Sequence, residues 1–320
     1  PVCIVLAARA PNKPRDDPAQ LRYFALPKGK REAKFEALAK LSLDETGWAD
    51  GPGGWREPFL PEQSDAWASF PALAEFFVWS GPGVKTHRTW VIAPDIASLE
   101  DRWKALQQEN DPKKKESLFH PDPGEGNARA RYVGKIVTDD LGAYPTRHVS
   151  VESDKELVVG PIRYAFRSFD RQWLPPDSRL LSRPRPELWS QLSDRQVFLT
   201  APEDLSPSAG PPVTYTGLLP DMHHYHGRGG RVYPLWRDRT ACEPNIKPAL
   251  LSDLAKVYGQ PVKAEDVMAY IAAVMAHPTF TARFKTDLVR PGLHVPVTAD
   301  AGLFAEAVAL GREVVWLHCY

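Results

Sequence analysis

The sequence has little cysteine: three in 320 residues, at Cys3, Cys242 and Cys319. An odd, widely spaced set argues against a disulfide scaffold. It fits reduced thiols and an intracellular, cytoplasmic setting. Net charge is zero, with 40 Lys and Arg against 40 Asp and Glu. That counts against an indiscriminate, histone-like polycation and leaves room for a local basic patch with an acidic back. No apolar run reaches membrane length and there is no signal peptide, so no membrane contact is expected. A Walker A sequence and a nucleophile elbow are both missing, which removes P-loop nucleotide chemistry and the Ser/His/Asp hydrolases. Gly81-Pro82-Gly83 and Gly227-Arg228-Gly229-Gly230 lie outside any strand-turn-helix frame, so neither is a dinucleotide-type glycine turn. No internal repeat is present.

Proline is what the chain has in excess. Its 32 prolines are about twice the usual share and predict short elements joined by long loops. Hydrophobic residues at 43%, with ten tryptophans, allow a real core. The pattern predicts an α+β fold, with a β-rich centre and a helical C-terminal part. Val2 to Ala8 and Leu21 to Leu26 read as two strands, followed by a helix over Gly29 to Leu41. A Gly/Pro break follows at Asp50 to Gly54. A second helix starts near Ser98, with Leu99, Trp103 and Leu106 on one face. Asn110 to Asn127, with Lys113-Lys114-Lys115, reads as a mobile linker, and Arg129 to Val159 as two or three short strands. Val197 to Leu199 and Val213 to Tyr215 are expected central strands. Beyond Asn245 the chain reads as helical. Leu250, Leu251, Leu254 and Val257 share one stripe. Val267, Tyr270, Ile271, Val274 and Met275 share a second, in a helix ending at His277-Pro278. Leu303, Phe304, Ala307 and Val308 form a third, with Gly311 as C-cap.

Arginines and aromatics alternate from Ile162 to Trp173. At strand spacing, Ile162, Tyr164, Phe166 and Ser168 share one face, and Arg163, Ala165, Arg167 and Phe169 the other. An arginine face beside an aromatic one suits phosphate or base contact. A two-faced strand with solvated arginines gives the same pattern.

This stretch also resembles a known family. Tyr164 to Trp173, followed by Arg183-Pro184-Arg185-Pro186, is similar to the "Y-R-P-F-D-x-R-W" and "R-P-R" segments of the C-terminal specificity domain of type ISP restriction-modification enzymes and related adenine-N6 DNA methyltransferases. Further segments resemble the family in order: Leu218 to His223, Val232 to Trp236, Pro244 to Ile246, Asp266 to Pro278, and Gly311 to His318. In the N-terminal third, Lys30 to Phe35 and Phe77 to Arg88 resemble segments that follow the catalytic core, with Thr89 where the family has aspartate. Residues 106–160 match no known pattern.

The resemblance implies a target-recognition module for double-stranded DNA in a restriction-modification, phage-defence enzyme. It further implies residues 1–54 as a remnant of a methyltransferase sheet edge, 55–127 as a connecting segment with linker, and 128–320 as the specificity domain. The Asn- or Asp-Pro-Pro-aromatic motif that holds a flipped adenine is absent, as is a turn for S-adenosylmethionine. No catalytic residue is therefore expected here. The sequence reads as part of a longer protein whose N-terminal methyltransferase domain is both partner and cofactor-binding half.

The candidate DNA contacts follow. Lys85, Thr86 and Arg88, after the Gly-Pro-Gly turn, suit a phosphate or are a solvated turn. Arg163, Arg167 and Arg171, with Arg183 and Arg185 fixed by neighbouring prolines, are expected on the DNA face. So are His223, His224, His226, Arg228 and Arg231 of the polar loop from Asp221. A metal is the rival for the three histidines, but zinc ligands usually come from two separate segments and Cys242 has no partner in spacing, so no metal is expected. Pro94-Asp95 with Glu100-Asp101-Arg102 is a poor nuclease match, lacking the lysine. The rival for the whole chain is a protein-interaction module of a phage-defence complex, which neutral charge and many tryptophans fit as well.

Overall fold

The computed structural model describes residues 6–8, 14, 20–26, 29–44, 47–51, 65–119, 133–156, 160–203, 210–225, 229–288 and 292–320. The fold is α+β, and the chain divides into two units, Pro1–Ala68 and Ser69–Tyr320. Residues 69–119 fall within the second of these units.

In the first unit, β1 (Arg22–Tyr23) precedes α1 (Arg31–Lys40), and β2 (Ala49–Asp50) returns to pair with β1 antiparallel. A short helix, α2 (Asp65–Ala68), follows. The expected partner of the Leu21 to Leu26 strand was Val2 to Ala8. Its first four residues lie outside the described ones, and Leu6, Ala7 and Ala8 are exposed and not in a strand. Gly51 explains why the chain pairs with β2 instead. Its N–H donates to the Leu21 carbonyl at 2.8 Å, and a Cβ there would lie 2.3 Å from the Leu21 side chain. The glycine read as a break is a point of close approach.

The second unit opens with β3 (Gly81–Pro82), α3 (Ile96–Gln108) and α4 (Pro112–Phe119). Helix α3 starts at Asp95, whose carboxylate accepts from the Ser98 amide at 2.7 Å, and it buries Leu99, Trp103 and Leu106 as the periodicity predicts. Helix α4 corrects the linker expectation for Asn110 to Asn127. Asp111 accepts from the Lys113 and Lys114 amides, and Pro112 occupies the first turn. Both are strong helix starts, and Phe119 anchors the far end in the core. Residues 120–127 of that expectation lie outside the described ones.

The expected strands of Arg129 to Val159 are absent among the described residues 133–156, where Leu141 and Tyr144 form one isolated bridge. This segment is pinned by ion pairs instead. Arg179 meets Asp154 at 2.8 Å and Asp177 at 2.5 Å, and Arg147 meets Asp154 at 2.7 Å and Glu156 at 2.7 Å. Arg179, Asp154 and Asp177 are all buried.

Strands β4 (Ile162–Arg167) and β5 (Asp170–Leu174) form a hairpin, followed by α5 (Pro186–Ser190). Next come β6 (Phe198–Ala201), β7 (Thr214–Thr216), β8 (Leu219–Pro220) and β9 (Arg231–Pro234). One sheet has the order β3-β9-β6-β7, all antiparallel. The other runs β5-β4-β8, with β8 parallel to β4. The residues after β3 join the two sheets. Val84 pairs with Asp221 beyond β8, and Lys85 pairs with Arg183. Asn245, fully buried, fastens β9 to the same region. Its amide donates to the Trp79 and Pro234 carbonyls at 2.8 Å each, and its oxygen accepts from the Trp79 amide at 2.9 Å.

Helices α6 (Pro248–Tyr258), α7 (Ala264–Ala276), α8 (Pro278–Arg283) and α9 (Ala301–Cys319) complete the fold. Leu254 and Tyr258 carry the buried side of α6, whereas Val257 is exposed. Helix α7 is buried nearly all round, a broader contact than the predicted stripe. Gly311 is not a C-cap; it lies inside α9. A Cβ there would fall 1.7 Å from the Ala269 carbonyl oxygen of α7. The glycine is where the two helices cross. No helix among the described residues is long and apolar enough to cross a membrane.

Candidate nucleic-acid interface

Asp221 is the centre of the site. It follows β8 and is buried. Its carboxylate accepts from the Tyr164 hydroxyl at 2.6 Å, from Arg167 at 2.9 Å and from the His223 backbone amide at 2.7 Å. Burial raises the carboxyl above the usual carboxylate range, while the Tyr164 hydroxyl, the His223 amide and Arg167 pull it back. Its own amide donates to the Ala165 carbonyl at 2.9 Å. Gly83 lets this segment come close, since a Cβ there would sit 2.5 Å from the Asp221 carbonyl oxygen.

Tyr164 and Arg167 reach one carboxylate although alternation puts them on opposite faces. The register of β4 on β5 shifts between Ala165 and Arg167. An extra residue in one strand turns the next side chain over, so the predicted Arg163-Ala165-Arg167-Phe169 face breaks at Arg167. Ala165 pairs with Arg171 and Arg163 with Trp173, leaving Arg163 and Arg171 on the shared face. Arg163 lies 5.2 Å over the Trp173 ring. Arg171 donates to the His318 and Tyr320 carbonyls at 3.0 and 3.2 Å, closing the end of α9.

Lys85 and Arg183 meet as a narrow antiparallel pair, exchanging N–H···O bonds of 3.0 and 2.9 Å. Arg183 is exposed and Lys85 half-buried. His87, at φ 58°, shares a 2.6 Å hydrogen bond with Ser182 and locks the turn. Arg185, at φ 58°, precedes α5. Non-glycine residues with positive φ are uncommon, and such backbone often gathers at functional sites. Arg231 donates to Ser80 at 2.7 Å and pairs with Glu203 at 3.1 Å at the surface.

Three predicted residues face inward. Arg88 is 1% exposed; it donates to the Phe119 carbonyl at 2.6 Å and lies 4.2 Å over that ring. Thr86 is buried. His224 is buried too, with its ring sharing a 2.9 Å hydrogen bond with Thr200 and its carbonyl accepting from the Ser168 amide at 2.8 Å. They brace the fold rather than present a surface. His226 and Arg228 lie outside the described residues. No cluster of acidic, histidine and cysteine side chains suited to a metal occurs among the described residues. Asp221 and Tyr164 were missed as organisers; the Leu-Pro-Asp sequence at 219–221 was the available signal.

Burial, with His318 and Arg167 nearby, lowers His224 from 6.5 to about 3. The folded state keeps this imidazole neutral where the unfolded chain binds a proton. Its contribution to stability is therefore complete above about pH 6.5 and is lost as pH falls toward 3, by up to about 1.4 kcal/mol per pH unit. His318 shifts in the same direction. The raised Asp221 opposes them, favouring the fold at lower pH. We expect His224→Asn to flatten the loss of stability between about pH 6.5 and pH 4, read by urea unfolding. An unchanged slope would contradict it.

Residues 75–320 match the family described as the Type ISP C-terminal specificity domain. The chain belongs to that family. No curated protein matches the chain. Among solved structures, the ATP-dependent Type ISP restriction-modification enzyme LlaBIII bound to DNA aligns with a TM-score of 0.59 at 13% identity, covering 94% of this chain and 20% of that one. A DrdV–DNA complex aligns with a TM-score of 0.58 at 17% identity, covering 94% and 30%. A nuclease-deletion mutant of the Type ISP enzyme LlaGI with a DNA substrate mimic gives 0.55 at 16%, covering 90% and 27%. At these identities the likeness is one of fold. This Type ISP specificity domain chain spans less than a third of each of those chains.

Proposed function

We propose that this chain reads a sequence in duplex DNA for a restriction-modification enzyme of phage defence. It would hold the duplex so that a methyltransferase domain outside this chain, using S-adenosylmethionine, can reach a flipped adenine. Family membership supports the class of module, and the DNA complexes of structurally similar proteins support its ligand. The observation that carries the reading is the pairing of Lys85 with Arg183. Two basic residues from distant parts of the chain thus lie side by side, the arrangement that a phosphate accepting charge-assisted hydrogen bonds from both would need. Arg167 and His223, both held by Asp221, are the base-reading candidates of the next segment, and Arg231 a further backbone contact.

The test is substitution at the pair. Arg183→Ala is expected to weaken DNA binding about equally for all sequences and to reduce the slope of log K on log salt by about 1. Lys85→Ala should do the same. Unaltered affinity and slope in both variants, with unchanged unfolding curves, would remove the pair from the interface.

A further inference from the structure

Helix α9 has two apolar faces. Phe304, Val308 and Gly311 are its buried residues, with Gly311 set against Ala269 of α7. Leu303, Ala307, Leu310, Val314 and Leu317 form another stripe, in alternating steps of four and three residues. That is the a/d spacing of a coiled-coil seam, with leucine at every d and alanine or valine at a. Leu303, Leu310 and Leu317 are 55%, 62% and 64% exposed. At the far end Trp316 and Tyr320 are also exposed. Phe169, exposed at the tip of the β4-β5 hairpin, meets the His318 ring at a tilt, with centroids 4.8 Å apart. The apolar surface therefore continues from helix to hairpin. Single exposed leucines are ordinary, but a continuous stripe marks an interaction surface.

Charge selects the occupant. The charged side chains of α9 are Glu306, Arg312 and Glu313, with His318 in its last turn. Arg312 is held by Asp266 of α7 at 2.6 Å. Glu306 and Glu313 are exposed and border the stripe at the g positions. A second copy of α9 in antiparallel pairing would set these glutamates against their own kind. In parallel pairing they would face e positions, and two of these, Phe304 and Gly311, are already buried. DNA is repelled by the same two charges. We infer that this face docks an amphipathic helix of a protein partner, with apolar residues at heptad spacing flanked by lysine or arginine. The inference does not rest on the DNA reading, since the stripe uses none of the residues proposed there.

The probe is a labelled synthetic peptide of about four heptads, long enough to hold a helix on docking, with leucine at d, valine at a and lysine on both flanks. Its twin carries glutamate on the flanks. Binding to the full chain is followed by fluorescence anisotropy. The lysine peptide should bind at least about tenfold more tightly than its twin. Leu310→Lys should abolish binding without moving the unfolding temperature, because Leu310 is exposed. Glu306→Lys with Glu313→Lys should reverse the preference. The inference is overturned by absence of binding up to about 1 mM, by equal affinity for the two peptides, or by binding that survives Leu310→Lys. It is equally overturned if sedimentation shows a dimer of the chain that Leu310→Lys dissolves, for then the occupant is a second copy.

Discussion

Gly311→Ala is expected to destabilise the C-terminal unit by about 3 kcal/mol or more. In an open helix the same change is stabilising, by about 1 kcal/mol, because glycine loses the most backbone freedom on folding. Here the sign reverses. The added methyl would lie 1.7 Å from the Ala269 carbonyl oxygen and 2.5 Å from its carbon. Both are backbone atoms, so no side chain can step aside. Helices α7 and α9 must separate, opening the contacts of Phe304 with Tyr258 and Tyr270, whose rings stack at 4.5 and 5.0 Å. Urea unfolding gives the reading: a midpoint equal to or above that of the unaltered chain would show that the helices do not cross as described.

Asp221→Ala is expected to cost about 2–4 kcal/mol and to weaken DNA binding as well. Alanine leaves the Arg167 guanidinium, the His223 amide and the buried Tyr164 hydroxyl without their shared acceptor, although the hydroxyl retains the Val84 carbonyl at 3.3 Å. Asp221→Asn is the informative companion. With its oxygen in place of Oδ1, the amide still accepts from the His223 backbone; its nitrogen, in place of Oδ2, donates to the Tyr164 hydroxyl, which turns its own proton to the Val84 carbonyl, and the costly buried charge is gone, so most stability should return. Arg167 loses its ion pair, so the binding defect should persist if Arg167 touches DNA. Measured together, unfolding and DNA affinity separate the two roles. Full stability in Asp221→Ala would show that the carboxylate organises nothing.

The elements that the sequence revealed are those whose burial follows from local periodicity. Helix α3 with Leu99, Trp103 and Leu106, α7 up to His277, and strands β6 and β7 all stand where the pattern put them. The errors have tertiary causes. Gly311 could cap a helix or admit a neighbour, since both uses need only the absence of a Cβ. The lysines of α4 read as a linker because a charge run looks solvated, while the element is fixed by Phe119 beneath Arg88. Burial of Arg88, Thr86 and His224 was likewise invisible, since each is covered by distant residues. The extra residue in β4 that swings Arg167 onto Asp221 has no signature in Tyr164-Ala165-Phe166-Arg167. The arginine-rich segments were legible as a group, but the pairing of Lys85 with Arg183 joins distant parts of the chain and only folding reveals it.

The central claim is that this chain binds duplex DNA through phosphate contacts. It is tested most directly by fluorescence anisotropy on random-sequence duplex, at about 50 mM and about 200 mM salt. The account predicts binding that weakens steeply between the two, by about tenfold or more for a few neutralised phosphates, with a smaller change in Lys85→Ala and Arg183→Ala. Absence of binding at the lower salt, or binding indifferent to salt, would contradict it.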